Sequence, residues 1–304
     1  MQLGFVSAIL PELTLYDALA FAAAENFSCV ELMCWPVGAA ERKYAGVTHV
    51  DVSDFSPAKA VAVRAACDRH GVAISGLGYY PNPLDPDPAV ADVATTHLRQ
   101  VIDAAAMLGV STVNSFVGRD WTRTVDENWP RFLDTWRPLV KQAEERGVRI
   151  GIENCPMLFT RDEWPGGKNL MTSPAVWRRA FADIDSPAFG LNYDPSHLVL
   201  QGMNPLGPLD EFRDKLFHVH AKDVRIDARA VNDVGRFDFP NRWHQPRIPG
   251  SGEIDWNRFL SEVRRVGYAG PVCIEVEDDT FGKALEGRMR ALRVARDVLR
   301  PQFP

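Results

Sequence analysis

Residues 129–155 read WPRFLDTWRPLVKQAEERGVRIGIENC, and the change of period inside that stretch decides the fold. In its first part Trp129, Phe132, Leu133, Trp136, Val140 and Ala143 recur at three- and four-residue steps, so they share one face of a helix expected over about 128–146. Pro130 suits the first turn of that helix, whereas Pro138 is expected to kink or split it. Gly147 closes it, because glycine takes positive φ just past a helix without a Cβ clash. The run 149–155 that follows is short and apolar, the signature of a buried strand.

Outward in both directions the same unit repeats. Gly71-Val72 and Gly109-Val110 mark the same passage from helix to strand, and Gly267 sits at the same place near the C-terminus. Strands are expected at 2–9, 29–35, 72–80, 110–117, 149–155, 189–194, 216–222 and 272–277. Helices are expected at about 13–26, 57–70, 88–108, 128–146, 173–184, 208–215, 256–266 and 281–299. The last carries its own stripe of Leu285, Met289, Leu292, Ala295 and Leu299. Such alternation implies parallel strands with right-handed crossovers, and eight strands close an α/β barrel of the (β/α)8 TIM type. An open doubly wound sheet is the runner-up, but no GxGxxG loop follows the first strand. The 304 residues are read as a single barrel domain, 1–304, with one irregular stretch at about 225–255. That stretch is rich in Gly, Pro and aromatic residues, a candidate lid or binding loop.

A composition 46% hydrophobic and 24% charged allows a large core and excludes a disordered or collagen-like chain. The 34 basic residues are outnumbered by 40 acidic ones, so nothing points to nucleic acid. Cys29, Cys34, Cys67, Cys155 and Cys273 contain no CxxC pair and read as small core hydrophobes in a reducing compartment. No cationic segment opens the chain, and no run approaches the roughly 18 apolar residues of a membrane helix. A soluble, cytoplasmic protein is expected.

In a TIM barrel the site lies at the C-terminal ends of the strands. Those ends present Glu153, Asp194, His220 and Glu275 on four consecutive strands. Singly, such residues are more often solvated or salt-bridged groups. Three carboxylates and an imidazole together in a barrel mouth repel and desolvate one another, and a divalent cation resolves both problems. Mixed oxygen and nitrogen donors suit Mn²⁺, Mg²⁺, Co²⁺ or Zn²⁺. Of His218 and His220, one is expected to face into the barrel and the other to lie under a helix.

The motifs GIEN (151–154), NYDPSH (192–197), HVHAKD (218–223), IPGSGEIDW (248–256) and CIEVED (273–278) resemble the sugar phosphate isomerase/epimerase superfamily, the xylose isomerase-like TIM barrels. Relatives there include ketose 3-epimerases, hydroxypyruvate isomerases, inosose dehydratases and AP endonucleases. The resemblance implies that Glu153, Asp194, His220 and Glu275 hold one divalent ion, Mn²⁺ first among the candidates. It matches His197 to a substrate-contacting histidine and makes Arg225 the nearest counterpart of a substrate-holding arginine. Lys222 either donates to a substrate oxygen or pairs with Asp223 or another carboxylate.

The implied reaction is proton abstraction next to the carbonyl of a keto-sugar or related polyol ketone, through a metal-bound enediolate, with Glu153 and Glu275 as the proton-transfer pair. Proton return gives an isomerase or epimerase. Expulsion of a β-leaving group gives a lyase, an inosose-type dehydratase or a 3-keto-glycoside eliminase. An AP endonuclease-type phosphodiesterase is remote, since Leu77-Gly78-Tyr79-Tyr80 and Asn114-Ser115-Phe116 offer no histidine for further metals. A non-catalytic partner subunit is the third class, opposed by the complete ligand set.

Trp35, Tyr79, Tyr80, Phe116 and Trp121 lie near strand ends, where they either stack on sugar or pack the core. Trp35 and Tyr79 are taken as substrate-binding. Trp243 and His244 fall in the long stretch, placed to close over substrate. Gly250-Ser251-Gly252 offers a phosphate cradle or, more simply, a tight turn. The expected partners are a small sugar substrate and further copies of the chain in a homo-oligomer, with a partner subunit left open and neither nucleic acid nor membrane.

Overall fold

The computed structural model describes residues 1–38, 45–157, 167–236 and 242–303. Eight parallel strands close into a barrel: β1 (Gln2–Val6), β2 (Cys29–Met33), β3 (Ala73–Gly78), β4 (Thr112–Ser115), β5 (Arg149–Glu153), β6 (Phe189–Tyr193), β7 (Leu216–Ala221) and β10 (Pro271–Ile274). The last pairs back onto the first, Leu3 opposite Val272 and Phe5 opposite Ile274, so the sheet has no free edge. The helices α1 (Leu15–Ala24), α2 (Pro57–His70), α3 (Pro88–Leu108), α4 (Val125–Arg146), α5 (Pro174–Asp183), α6 (Pro195–Leu200), α8 (Trp256–Arg265) and α9 (Leu285–Leu299) complete the (β/α)8 pattern. No helix among the described residues is long and apolar enough to cross a membrane.

Local chemistry explains the boundaries. Helix α4 begins at a capping box: Thr124 Oγ1 accepts from the Glu127 N–H at 3.3 Å, and the Glu127 carboxylate accepts from the Thr124 N–H at 2.8 Å. It ends at Gly147 with φ of 66°. Pro138 does not split it in two. The helix runs unbroken from Val125 to Arg146 with Pro138 on the exposed face, where the carbonyl it leaves unbonded meets water. The other face buries Trp129, Phe132, Trp136, Leu139, Val140 and Ala143 against the barrel. Trp136 is fully enclosed, its indole N–H donating to the Val117 carbonyl at 2.9 Å.

Two expectations are corrected. Residues 208–215 form turns ending in a 3₁₀ segment, Arg213–Lys215, and the helix after β6 is instead the short α6. Only Pro208, Leu209 and Phe212 of that stretch are buried, too little apolar surface to hold a helix there. The stretch after β7 is not without structure of its own, since regular elements lie within it. Strands β8 (Asp223–Ile226) and β9 (His244–Arg247) pair as an antiparallel ribbon, Asp223 opposite Arg247 and Ile226 opposite His244, with helix α7 (Ala228–Val234) between them. Residues 237–241, part of the expected lid, lie outside the described residues.

Candidate active site

At the C-terminal mouth of the barrel β5, β6, β7 and β10 stand side by side. Glu153 is the last residue of β5, and Asp194 follows β6 and caps α6 by accepting the Ser196 N–H at 2.8 Å. His220 lies in β7, and Glu275 follows β10. One donor atom from each of these four residues lies within 4.8 Å of all the others. His220 Nδ1 stands 3.6 Å from Glu153 Oε1 and 3.3 Å from Glu275 Oε2. Two smaller groups, Glu31-His218-His220 and Glu153-Cys155-His197, share members with this set.

Lys222 threads its stem up through the same mouth. Its ammonium stands 2.9 Å from Glu275 Oε2, 3.3 Å from Asp194 Oδ2, 3.6 Å from Glu277 Oε2 and 3.9 Å from Glu153 Oε1. Asp223 is not its partner. His197 Nε2 is 3.2 Å from Glu153 Oε1 and 3.3 Å from Asp194 Oδ2. Burial alone would raise the Glu153 carboxyl, but the hydrogen bond from His197 and the Lys222 charge beside it hold it well below the usual carboxylate range. For Lys222 burial acts downward, and the carboxylates, Glu275 foremost, push it well above the ordinary lysine value. The charged forms prevail.

Within this crowd two buried atoms make no hydrogen bond, His220 Nδ1 and Asp194 Oδ2. Buried polar atoms without a hydrogen bond are rare, and Asp194 Oδ2 has only the ion-pair approach of Lys222 and His197, each at 3.3 Å. His220 Nδ1 and Asp194 Oδ2 both belong to the four-residue set, and three carboxylates with one imidazole form the donor set that a divalent ion takes. The residues fit one such ion.

The other ring nitrogen of His220 is anchored from below. Nε2–H donates to Glu31 Oε2 at 2.7 Å, leaving the Nδ1 lone pair directed at the mouth, as in a carboxylate–histidine–metal arrangement. The Tyr80 hydroxyl donates to Glu31 Oε1 and accepts from Asn192 Nδ2 at 3.2 Å. Asn192 Oδ1 accepts from His218 Nδ1 at 3.0 Å, and Ser75 Oγ lies 3.2 Å from His218 Nε2. Gly78 makes the room, since an added Cβ would stand 2.6 Å from Glu31 Oε1. This layer corrects the expectation about the histidine pair. Both face the barrel axis, because a two-residue step along a strand returns to the same side. Sequence reading missed Glu31 altogether, although one carboxylate inside the apolar run Cys29-Val30-Glu31-Leu32-Met33 was a visible signal.

A cavity of about 890 Å³ opens above the four residues. Trp35, Tyr80, Phe116, His197 and Lys222 line it together with His244, Gln245 and Arg247 from β9. Tyr79 does not: it is turned outward, edge-on to Trp35 and to His97 of α3. Arg225 points to solvent from β8 and lines no part of the cavity, and Arg247, held at 3.0 Å by Asp278, faces it instead. Trp121 is likewise outside the lining and lies beneath the Lys168 ammonium.

The glycines of IPGSGEIDW serve a staple, not a phosphate. Asp223 accepts from the N–H groups of Val224 (2.9 Å), Gly250 (3.2 Å) and Ile254 (3.1 Å) and from Trp256 Nε1 (2.9 Å). A Cβ on Gly252 would stand 2.2 Å from Asp223 Oδ1, so only glycine fits. Replacing Asp223 by alanine is therefore expected to lower stability by about 3 kcal/mol, since buried donors lose a charged acceptor. Urea denaturation measures this, and a loss below about 1 kcal/mol would show that the segment is held by packing alone.

A family model described as xylose isomerase-like TIM barrel matches residues 19–302. The YfiH protein of Bacillus subtilis (strain 168) is 27% identical over 92% of this chain and 94% of its own length. The 3-dehydroshikimate dehydratase of Pseudomonas putida is 31% identical over 55% of this chain, a match spanning 24% of that protein. Among solved structures, the IolI protein with a bound zinc atom superposes with a TM-score of 0.71 at 19% identity, over 100% of this chain and 99% of its own. D-psicose 3-epimerase from Clostridium cellulolyticum H10, solved with D-tagatose, gives 0.68 at 17% identity over 99% of each chain.

Proposed function

The chain belongs to the xylose isomerase-like TIM barrel family, and from that premise we propose that it is a divalent-metal-dependent isomerase or epimerase of keto-sugars or related polyol ketones. The observation that carries the reading is the convergence of Glu153, Asp194, His220 and Glu275 with two of their buried atoms left without hydrogen bonds. These four residues would hold the ion, Mn²⁺ by the donor set, which supplies Lewis acidity at the substrate carbonyl.

The rest falls to the side chains. Glu153 and Glu275 rise from strands separated by β6 and β7, so they meet a substrate between them from two sides. Held ionised, one removes the proton from the carbon next to the carbonyl, and the other returns a proton to the opposite face or to the neighbouring carbon. Lys222, against Glu275, and His197, against Glu153, steady the two carboxylates and offer N–H donors to substrate oxygens. The apolar wall of Trp35 and Phe116 helps to exclude water from the enediolate.

Lys222 also favours a second reading. An ammonium beside the proton-transfer group can protonate a departing hydroxyl, which would turn the same enediolate into the product of a dehydratase, the activity named for the Pseudomonas relative. One experiment serves both. Incubation in D₂O with a panel of ketoses, inososes and 3-dehydroshikimate should place deuterium at the carbon next to the carbonyl. An epimerised ketose supports the first reading and an unsaturated product the second. With a substrate deuterated at that carbon, absence of both washout and a primary isotope effect would remove the proton-transfer mechanism.

A further inference from the structure

His244 is a further residue of the cavity whose buried polar atoms are left over. The residue is only 8% exposed, and neither ring nitrogen has a hydrogen-bond partner among the described residues. It lines the same cavity as Glu153, His197, Lys222 and Glu275. Its place is not an accident of a loose loop. Ile226 pairs opposite it in the ribbon, the Asp227 N–H donates to the Trp243 carbonyl at 2.8 Å, and the Trp243 ring packs edge-on at 4.7 Å. A fixed, buried imidazole with nothing to bind loses its hydration for no return, unless a ligand supplies the partner.

Resting on the function proposed above, we infer that His244 is a specificity-determining residue that recognises a hydroxyl of an uncharged polyol ketone on the ribbon side of the cavity. A neutral imidazole carries one donor and one acceptor, as a hydroxyl does, whereas a carboxylate offers acceptors only. Burial, with the nearby His197 charge, pushes His244 down to about 4, which keeps it neutral at ordinary pH. Among the described lining residues, the guanidinium beside it that would suit a carboxylate, Arg247, is already engaged by Asp278 at 3.0 Å. The ribbon therefore selects inosose- or ketose-like substrates over carboxylated ones such as 3-dehydroshikimate.

The test uses the metal-loaded protein and the variants His244→Phe and His244→Gln. Calorimetry with myo-inositol and, separately, with malonate reads binding without turnover. The polyol should bind the parent better than malonate does, weaken about 30-fold in His244→Phe, and stay within about threefold in His244→Gln, which keeps a donor and an acceptor. With a ketose found active, KM should rise by a similar factor in His244→Phe while kcat and metal content hold. Polyol binding that is absent, weaker than malonate binding, or indifferent to His244→Phe overturns the assignment. The two proposals fail separately. α-Proton exchange that ignores His244 removes this subsite and leaves the reaction standing, and polyol binding lost in His244→Phe without exchange of any ketone does the reverse.

Discussion

Replacing His220 by alanine is expected to abolish tight divalent-metal binding, weakening it by about 100-fold or more, because even residues that only support a ligand typically account for 10- to 100-fold. The imidazole supplies the one nitrogen donor of the set, with Nδ1 3.3 Å and 3.6 Å from the Glu275 and Glu153 oxygens. Its loss also strands the fully buried Glu31 carboxylate, which keeps only the Tyr80 hydroxyl and the more distant His218 near it. That second effect endangers folding, since an uncompensated buried charge costs about 3–5 kcal/mol. Glu275→Gln separates the two, because its side chain is 18% exposed and the amide is isosteric. Elemental analysis of protein purified without chelator, with equilibrium dialysis and circular dichroism, checks both variants. Parent-like metal content in both folded variants would remove the four-residue assignment.

Glu153→Gln and Glu275→Gln are each expected to lower net epimerisation by about 10²- to 10⁴-fold, the usual contribution of a positioned acid or base. An amide at either place preserves size and can still face the ion, but it cannot accept the proton. The two should differ in how they fail. With one face of the substrate still served by a carboxylate, the single variant retains exchange on that face and loses net epimerisation, so washout and product formation part company. Following deuterium incorporation and product together on metal-replete variants shows this. Equal residual rates for both processes would mean that a single group handles both protons.

The barrel was legible because its signals are local and periodic: a stripe at helical spacing, a glycine stop, a short apolar run. The failures share a different cause. Asp194 and Pro195 spell a cap and a first turn, yet the helix after the sixth strand is expected at 208–215 rather than at α6, where burial actually places it. Tyr79 and Tyr80 lie on opposite sides of the chain, and sequence carries no mark of which side meets the axis. The structure supplies that phase through Gly78 and the Tyr80 hydroxyl on Glu31. Arg225 was favoured by its distance along the chain from His220. A ribbon that doubles back brings Arg247, twenty-two positions later, opposite Asp223 instead. The four strand-end residues were found because each strand reports its own end, whereas Glu31 acts through another side chain and left only a charge where none was needed.

Two carboxylates hold the foot of the ribbon, Asp223 on one strand and Asp278 against Arg247 on the other. Asp223, three residues beyond His220, ties the foot of the ribbon to the 250–256 turn, while Asp227 and Trp243 come together at 2.8 Å at its far end. The chain between Asp223 and Arg247, which stand opposite one another and bracket His244, thus leaves and returns at one point, so lengthening or exchanging it carries little more than the slow logarithmic entropy of a larger loop. Substrate range and reaction chemistry can consequently drift at different rates in this architecture: the roof is an interchangeable cassette, and the floor that moves protons need never be realigned when it is changed.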